Sequence, residues 1–210
     1  MEENFWHERW ENNNIGFHQS DAEPQLVEYF SKLSLEPNSR VFLPLCGKTL
    51  DISWLLSKGC KVVGAELNKS AIEQLFKELS ITPTIKNIGD LDHYSADNID
   101  IFVGNIFNIS KELLGNVDAI YDRAALVALP EDMRNEYTKH LIDTTGKAPQ
   151  LLICLEYDQS QMEGPPFSIN SDKVKQHYAN SYNLTFLGNK KMPDGLKGCD
   201  EVTEHAWLLK

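Results

Sequence analysis

Two short segments of this sequence combine residue types that could hold a nucleoside. The first is the turn Pro44-Leu45-Cys46-Gly47-Lys48-Thr49, which follows an apolar run that begins at Val41. The second ends at Glu66, which closes another apolar run about 20 residues after the first turn. In nucleotide-binding sheets, an acidic side chain at the end of the second strand accepts hydrogen bonds from ribose hydroxyls. Glu66 is therefore predicted to bind a ribose, and we expect it to contribute little to the core.

The glycine content of the first turn restricts which nucleotide could bind. A dinucleotide pyrophosphate requires the pattern G-x-G-x-x-G, whereas this turn contains only Gly47. The string Gly47-Lys48-Thr49 resembles the end of a phosphate-binding loop, with Asp122 as a candidate magnesium ligand. That motif, G-x-x-x-x-G-K-[ST], needs a glycine where Phe42 stands. The residues therefore favour a nucleoside without pyrophosphate, commonly S-adenosylmethionine, over NAD, FAD or a nucleoside triphosphate.

No residue pattern in the sequence indicates covalent catalysis or a metal centre. The six histidines are not clustered at ligand-like spacing, and we recognise no Ser/His/Asp or Cys/His arrangement. The four cysteines lack CxxC spacing, and Cys154 lies within an apolar run. We therefore expect reduced thiols, no disulfide framework, and a cytoplasmic protein without a bound metal.

The candidate residues require a scaffold of alternating strands and helices. Apolar runs predict seven strands, at 41–45, 61–67, 101–103, 117–121, 151–157, 184–187 and 202–209. The run at 151–157 is the most apolar, and we expect it to be central. Amphipathic spacing predicts helices before and between the earlier strands, two of them opened by the capping boxes Ser20-x-x-Glu23 and Ser70-x-x-Glu73. Only a turn at Pro193-Asp194-Gly195 separates the last two strands, so they should pair antiparallel.

The predicted fold class is therefore α/β, with one Rossmann-like domain spanning residues 1–210. We expect a mostly parallel seven-stranded sheet, closed by a C-terminal antiparallel hairpin and covered by helices on both faces. In such sheets a ligand lies outside the carboxyl ends of the parallel strands. Both candidate segments are placed at that edge.

Composition excludes several classes of protein. The 210 residues include 41% hydrophobic and 24% charged residues, which is typical of a globular protein. The net charge of −11 disfavours partners with phosphate backbones or anionic lipid surfaces. No apolar run approaches the ~18 residues of a membrane span, and the acidic start Met1-Glu2-Glu3-Asn4 does not resemble a signal peptide. We expect a monomer without nucleic-acid or membrane partners.

Several blocks of sequence occur in the order typical of one enzyme family. They are Phe5-Trp6-x-x-x-Trp10, Asn14-Ile15-Gly16-Phe17-His18-Gln19, Val41-Phe42-Leu43-Pro44-Leu45-Cys46-Gly47-Lys48, Val62-Val63-Gly64-Ala65-Glu66, Gly104-Asn105-Ile106-Phe107, Tyr121-Asp122-Arg123-Ala124-Ala125-Leu126-Val127-Ala128, Glu156-Tyr157-Asp158 and Gly164-Pro165-Pro166-Phe167. Through these blocks the chain resembles the thiopurine S-methyltransferase family, which uses S-adenosylmethionine. The short N-terminal lead resembles the bacterial members more than the animal ones. Residues 190–199 match poorly and lack a late arginine that some members have.

The resemblance implies a role for individual residues. The implied cofactor-binding residues are Trp10, Leu45, Glu66, Ile106, Phe107 and Arg123. Phe17 is implied to face the methyl acceptor. Separately, residues 1–18 carry Trp6, Trp10 and Phe17 before the first strand, and we expect this segment to serve as a lid. The sequence leaves open whether Arg123 holds the cofactor or an anionic acceptor.

The resemblance also implies an activity, namely methyl transfer from S-adenosylmethionine to a small thiol or selenol. The acceptors expected from the family are thiopurines and other aromatic or heterocyclic thiols, with selenium or tellurium species for bacterial members. Since a thiolate is already a good nucleophile, we expect catalysis by positioning and no dedicated catalytic residue. Two alternatives remain open: a methyltransferase for halide or hydrosulfide, and a cofactor-binding module without turnover.

Overall fold

Nine strands of the chain form one continuous sheet. The computed structural model describes residues 3–192, 195–196, 198–199 and 201–210. The strands are β1 Arg40–Leu43, β2 Lys61–Glu66, β3 Thr84–Ile88, β4 Leu91–Ala96, β5 Ile99–Val103, β6 Ala119–Arg123, β7 Gln150–Glu156, β8 Leu184–Lys191 and β9 Thr203–Leu209. The α-helices are α1 Glu3–Glu11, α2 Pro24–Tyr29, α3 Asp51–Ser57, α4 Lys69–Glu78, α5 Lys111–Leu114, α6 Glu131–Thr145 and α7 Ser171–Tyr178.

The strand order places the carboxyl ends of five parallel strands along one edge of the sheet. The order is β3-β4-β5-β2-β1-β6-β7-β9-β8, and β5, β2, β1, β6 and β7 are mutually parallel. β9 runs antiparallel to β7, with Glu204 opposite Leu155. The start of β9 therefore lies beside the end of β7, at the edge where ligands bind in such sheets.

Helices cover both faces of the sheet because consecutive strand residues point to opposite sides. In β1, Phe42 packs in a cluster with side chains of α6 and α7, such as Tyr137 and Tyr178. Its neighbours Val41 and Leu43 pack on the other face, with side chains of α2, α3 and α4. The predicted three-layer α/β architecture is confirmed.

The sheet has two more strands than the seven predicted. The additional pair is the antiparallel hairpin of β3 and β4, which extends the sheet beyond β5. All five residues of β3 are exposed, so this strand carries no apolar run that could have indicated it. The strand predicted to be central, β7, lies two strands from the β8 edge, and β1 occupies the centre.

Two helices begin at different residues from those predicted. Helix α2 begins at Pro24 with Glu23 as its N-cap, and α4 begins at Lys69 with Asn68 as its N-cap. The Asn68 side chain accepts a hydrogen bond from Ala71 N at 3.2 Å. The prediction that Ser20 and Ser70 cap these helices is therefore wrong. The free amides at the two helix starts donate to the Glu23 and Asn68 side chains instead.

The antiparallel pairing of the last two strands is confirmed, with a register shift between Phe186 and Gly188. In the turn predicted between them, Pro193 and Asp194 lie outside the described residues, as do Met1 and Glu2 of the predicted lid segment. Within the described ranges, none of the helices is long and apolar enough to cross a membrane.

Candidate active site

A cavity of about 850 Å³ opens along the carboxyl ends of the parallel strands. All seven residues singled out from the sequence line this cavity: Trp10, Phe17, Leu45, Glu66, Ile106, Phe107 and Arg123. Glu66 lies at the end of β2 and Glu204 at the start of β9. Four strand spacings separate β2 from β9, about 19 Å at ~4.8 Å per strand. The cavity is therefore long enough to hold two small molecules end to end.

The Glu66 carboxylate is buried, with 7% of the residue exposed. One oxygen accepts a hydrogen bond from Gly47 N at 2.7 Å, and the other accepts one from Asn68 N at 2.8 Å. Burial raises the pKa of Glu66, while the amides of Asn68, Gly47 and Leu67 act in the opposite direction. A carboxylate offers about four acceptor positions, so that a position beyond those used by the amides is left for a ribose hydroxyl. Glu66 also joins the loops after β1 and β2, while the expectation that it contributes little to the core stays a prediction.

The turn after β1 brings its backbone close to the cavity. Leu45 and Gly47 adopt positive φ angles of 48° and 52°, which reverse the chain directly after the buried strand. A Cβ atom on Gly47 would lie 3.1 Å from Cζ2 of Trp10. A side chain at position 47 would strain the backbone and shift the Trp10 indole by a few tenths of an ångström, so glycine lets Trp10 pack closely on the turn.

Helix α1 lies across the loops that follow β2 and β5. Asn105 donates from Nδ2 to a Glu3 carboxylate oxygen at 3.0 Å, and the His7 Nδ1 and Asn68 Nδ2 atoms are 3.1 Å apart. The ring centroids of Trp10 and Phe17 are 5.6 Å apart with nearly perpendicular planes. These contacts hold the N-terminal segment against the cavity as a cover.

The segment after β5 contributes an apolar wall. Residues Ile106–Asn108 form a single 3₁₀ turn, capped by the Asn105 side chain, which accepts a hydrogen bond from Phe107 N at 3.0 Å. Ile106 is buried, and the Phe107 ring packs edge-on against His140 at 5.5 Å. Their aliphatic and aromatic surfaces are suited to a flat heterocycle beside the Glu66 end of the cavity.

The Arg123 guanidinium connects β6 to the N-terminal segment. Its Nη1 atom donates to the Phe17 carbonyl oxygen at 2.9 Å, and its Nε lies 3.5 Å from a Glu23 carboxylate oxygen. Glu23 is fully buried and also accepts a hydrogen bond from Gln19 Nε2 at 3.0 Å. The positive charge of Arg123 is therefore paired with a buried carboxylate.

Two further buried acids near Arg123 were missed by the sequence analysis. Asp51 accepts hydrogen bonds from Glu23 N at 2.7 Å, the Tyr121 hydroxyl at 3.0 Å and the Thr49 hydroxyl at 3.0 Å. Burial raises the pKa of Asp51, while these donors and Arg123 oppose the shift. Glu204 is 7% exposed, and both acids line the cavity. The fold brings positions 51 and 204 to the same cavity, and no local motif indicates them.

The end of the cavity near β7 and β9 has a largely apolar wall. It is lined by Leu155, Met162, Pro165, Pro166, Met192 and Leu196. Pro165 and Pro166 belong to the Gly164–Phe167 block noted in the sequence. Apolar side chains beside Phe17 and Arg123 provide a surface for a small aromatic molecule.

Asp122, the candidate magnesium ligand of the phosphate-binding interpretation, points away from the cavity. Its carboxylate is fully buried and accepts hydrogen bonds from the Tyr137 hydroxyl at 2.7 Å and Leu126 N at 3.2 Å. Burial raises its pKa to about 6, although the Tyr137 hydrogen bond opposes the shift. Asp122 is therefore a structural group that joins β6 to α6.

Two solved structures that share this fold are methyltransferases. The chain is similar to 1,6-didemethyltoxoflavin-N1-methyltransferase of Burkholderia thailandensis, solved with S-adenosylhomocysteine, with a TM-score of 0.65 and 12% identity over 99% of this chain and 87% of that one. A TehB-like S-adenosylmethionine-dependent methyltransferase of Corynebacterium glutamicum gives a TM-score of 0.57 at 13% identity, covering 99% and 98% of the two chains. At these identities the shared property is the fold.

The fold, the strand-end carboxylate and the family match together define an S-adenosylmethionine-dependent methyltransferase. The family model for thiopurine S-methyltransferase matches residues 1–210. Curated relatives named thiopurine S-methyltransferase are 51% identical in Acinetobacter baylyi, covering 100% of this chain and 98% of the relative, and 48% identical in Xanthobacter autotrophicus, covering 100% and 99%. The chain belongs to the thiopurine S-methyltransferase family.

Proposed function

We propose that this chain transfers a methyl group from S-adenosylmethionine to the sulfur of a small aromatic or heterocyclic thiol, such as a thiopurine. The observation that supports this most directly is the continuity of the cavity. It runs from the Glu66 carboxylate to an apolar wall beside Phe17. A methyl donor at one end would then face a flat acceptor at the other. A selenol or a tellurium species would meet the same wall.

In this proposal, the cofactor supplies an electrophilic methyl group on a sulfonium. The protein holds the cofactor at one end of the cavity and the acceptor at the other. Glu66 accepts ribose hydroxyls, while Ile106 and Phe107 pack against the adenine. Trp10 covers the turn that contains Leu45 and Gly47, and Arg123 fixes the Phe17 backbone. Enclosure by α1 excludes water, so that the acceptor sulfur is held in line for displacement.

The apolar wall of the cavity supports an organic acceptor over halide or hydrosulfide. A monatomic or diatomic anion would leave the wall of Leu155, Met162 and Pro166 without a partner. The halide and hydrosulfide alternative thus receives no support from the geometry.

The substrate test is an acceptor survey with methyl-labelled S-adenosylmethionine. Thiophenol and 6-mercaptopurine should become labelled, whereas phenol, aniline, iodide and hydrosulfide should not. Labelling of iodide or hydrosulfide alone would replace the proposed acceptor class. Binding of the cofactor without labelling of any acceptor would indicate the module without turnover.

A second test concerns the cofactor directly. S-adenosylhomocysteine should raise the melting temperature, because a ligand that binds only the folded state stabilises it. NADH should not, and neither should ATP with magnesium. Stabilisation by ATP but not by S-adenosylhomocysteine would contradict the placement of the nucleoside at Glu66.

We also propose that the enzyme is monomeric and cytoplasmic, without nucleic-acid or membrane partners. The four cysteines are all buried and unpaired, which suits a reducing compartment. The net charge of −11 is consistent with the absence of polyanionic partners.

A further inference from the structure

The charges at the acceptor end of the cavity are unbalanced. Two buried carboxylates, Asp51 and Glu204, line this end beside Arg123. A third buried carboxylate, Glu23, pairs with the Arg123 guanidinium at 3.5 Å. The single positive charge of Arg123 is therefore already offset, and Asp51 and Glu204 add buried negative charge.

The other cations near the cavity do not neutralise these acids. Lys48 pairs with Glu78 at 2.7 Å, and the Arg9 guanidinium lies over the Phe5 ring at 4.8 Å on α1. Lys190 lies opposite Glu204 on β8, but it is exposed to water. Among the described residues, no Lys, Arg or His side chain lies within 4 Å of the Glu204 carboxylate as an ion-pair partner.

Fewer hydrogen bonds hold the Glu204 carboxylate than hold that of Asp51. The Asp51 carboxylate accepts three hydrogen bonds, from Glu23 N and from the Tyr121 and Thr49 hydroxyls. Burial and the nearby Glu23 raise the pKa of Glu204, whereas Arg123, Lys190 and a hydrogen bond from the Gln25 side chain oppose that shift. Its position opposite Leu155 places it beside the apolar wall where the acceptor ring would lie.

We propose that Glu204 selects acceptors by charge, so that this enzyme methylates neutral or cationic thiols and discriminates against thiols that carry a carboxylate. The inference rests on the proposed thiol acceptor. Like charges brought together in a cavity with a low dielectric constant repel strongly, and the guanidinium beside Glu204, that of Arg123, is already paired with Glu23. A cationic substituent would instead gain Glu204 as a counter-ion.

The test uses three acceptors of similar size: 4-mercaptobenzamide, 4-mercaptobenzoate and 4-(aminomethyl)thiophenol. At mildly alkaline pH, kcat/KM of the wild-type enzyme for the amide should exceed that for the carboxylate by about tenfold or more, equivalent to about 1.4 kcal/mol. The amine should be used at least as well as the amide. Acceptance of the amide and the carboxylate within about twofold would overturn the proposal without any variant.

The variants Glu204→Gln and Glu204→Ala test whether Glu204 causes the preference for the amide over the carboxylate. The ratio of kcat/KM for the amide to that for the carboxylate should fall several-fold in both variants, and the advantage of the amine should disappear. Glu201→Gln is the matched control, since Glu201 is three positions away and exposed, and it should retain the wild-type ratio. A wild-type ratio in folded Glu204 variants would refute the role of Glu204.

A binding experiment separates this inference from the proposed function. If none of the thiols is methylated, the proposed function fails, but charge selection can still be measured on the complex with S-adenosylhomocysteine. Benzamide and benzylamine should raise its melting temperature more than benzoate does, and Glu204→Gln should reduce that difference. Equal shifts for all three compounds would contradict the inference on their own.

Discussion

Arg123 donates a hydrogen bond from Nη1 to the carbonyl oxygen of Phe17 at 2.9 Å, although 106 positions separate the two residues in the chain. The same guanidinium pairs through Nε with the buried Glu23 carboxylate. One side chain at the end of β6 thus holds both the segment that covers the cavity and the start of α2. Arg123 is therefore a positioning residue for Phe17, whatever ligand it also contacts.

The first prediction concerns the pairing of Arg123 with Glu23. Glu23→Gln and Arg123→Met should each lower the free energy of unfolding by about 3 kcal/mol, because each leaves a buried charge without its partner. The double variant should lose less than the sum, with a coupling of about 1 kcal/mol or more. Urea denaturation of the four proteins measures this cycle.

The exposed pair Asp172 and Lys175 provides a matched control. Their side chains are 88% and 59% exposed, so Lys175→Met should change the free energy of unfolding by less than about 0.5 kcal/mol. Strict additivity of the Glu23 and Arg123 substitutions would indicate that their ion pair does not organise the site.

The second prediction concerns the N-terminal segment. Deletion of residues 1–18 removes the Trp10 indole from Gly47 and the Phe17 carbonyl from Arg123. The shortened protein should remain folded, because the two main clusters of buried side chains lie on the sheet and do not include α1. Its affinity for S-adenosylhomocysteine should fall by at least about tenfold.

Calorimetric titration measures this affinity, and circular dichroism reports whether the fold is retained. The single variant Trp10→Ala should show a smaller loss in the same direction. Undiminished affinity after deletion would show that α1 does not complete the site, and global unfolding would mean that the segment belongs to the core.

The sequence predicted the parts of the site that are carried by contiguous blocks. Glu66 follows an apolar run, and Leu45 and Gly47 follow another, so that both strand ends were recognisable before the fold was known. The family resemblance added Trp10, Ile106, Phe107 and Arg123. The sequence blocks that contain them are short, but they follow one another in the order typical of the family. All of them reach one cavity.

The parts that the sequence did not predict depend on contacts between distant positions. Glu23 and Glu204 lie 181 positions apart by their numbers, and only the pairing of β9 with β7 brings Glu204 to the site. The β3–β4 hairpin was missed for a different reason: β3 is exposed throughout and carries no apolar pattern. Neither the buried charges around Arg123 nor the exposed strand β3 produces a recognisable pattern in a short stretch of sequence.

The third prediction concerns the dependence of stability on pH. The pKa of Asp122 in the folded protein is raised from 3.8 to about 6 by burial, so the folded state binds a proton that the unfolded chain has already released. The stabilisation from this proton is fully present below pH 3.8 and is lost as the pH rises through about 6. Asp122→Asn removes the titration.

The free energy of unfolding of Asp122→Asn, relative to that of the wild type, should therefore increase from pH 4 to pH 7 by up to about 3 kcal/mol. Urea denaturation at several pH values measures the difference. Asp132→Asn, at an exposed position in α6, should follow the wild-type profile. Parallel profiles for wild type and Asp122→Asn would mean that the pKa of Asp122 is not raised.

The last prediction concerns Glu66, where the cofactor and the loop structure depend on one carboxylate. A hydrogen bond to a charged group contributes about 1.5–3 kcal/mol, so the loss of one ribose contact should weaken binding of S-adenosylhomocysteine by about 10- to 150-fold. Glu66→Ala also leaves Gly47 N and Asn68 N without their acceptor. That variant should lose about 1–3 kcal/mol of stability for each unsatisfied amide.

Glu66→Gln separates the two roles, because its amide oxygen can still accept one of the two backbone hydrogen bonds. It should bind the cofactor with an affinity between those of the wild type and Glu66→Ala, and it should be more stable than Glu66→Ala. Glu73→Gln, at an exposed position in α4, is the control and should behave as wild type. Calorimetry and urea denaturation of the four proteins test both roles: if Glu66→Gln binds within about twofold of wild type, the carboxylate fastens the loops and does not hold the ribose.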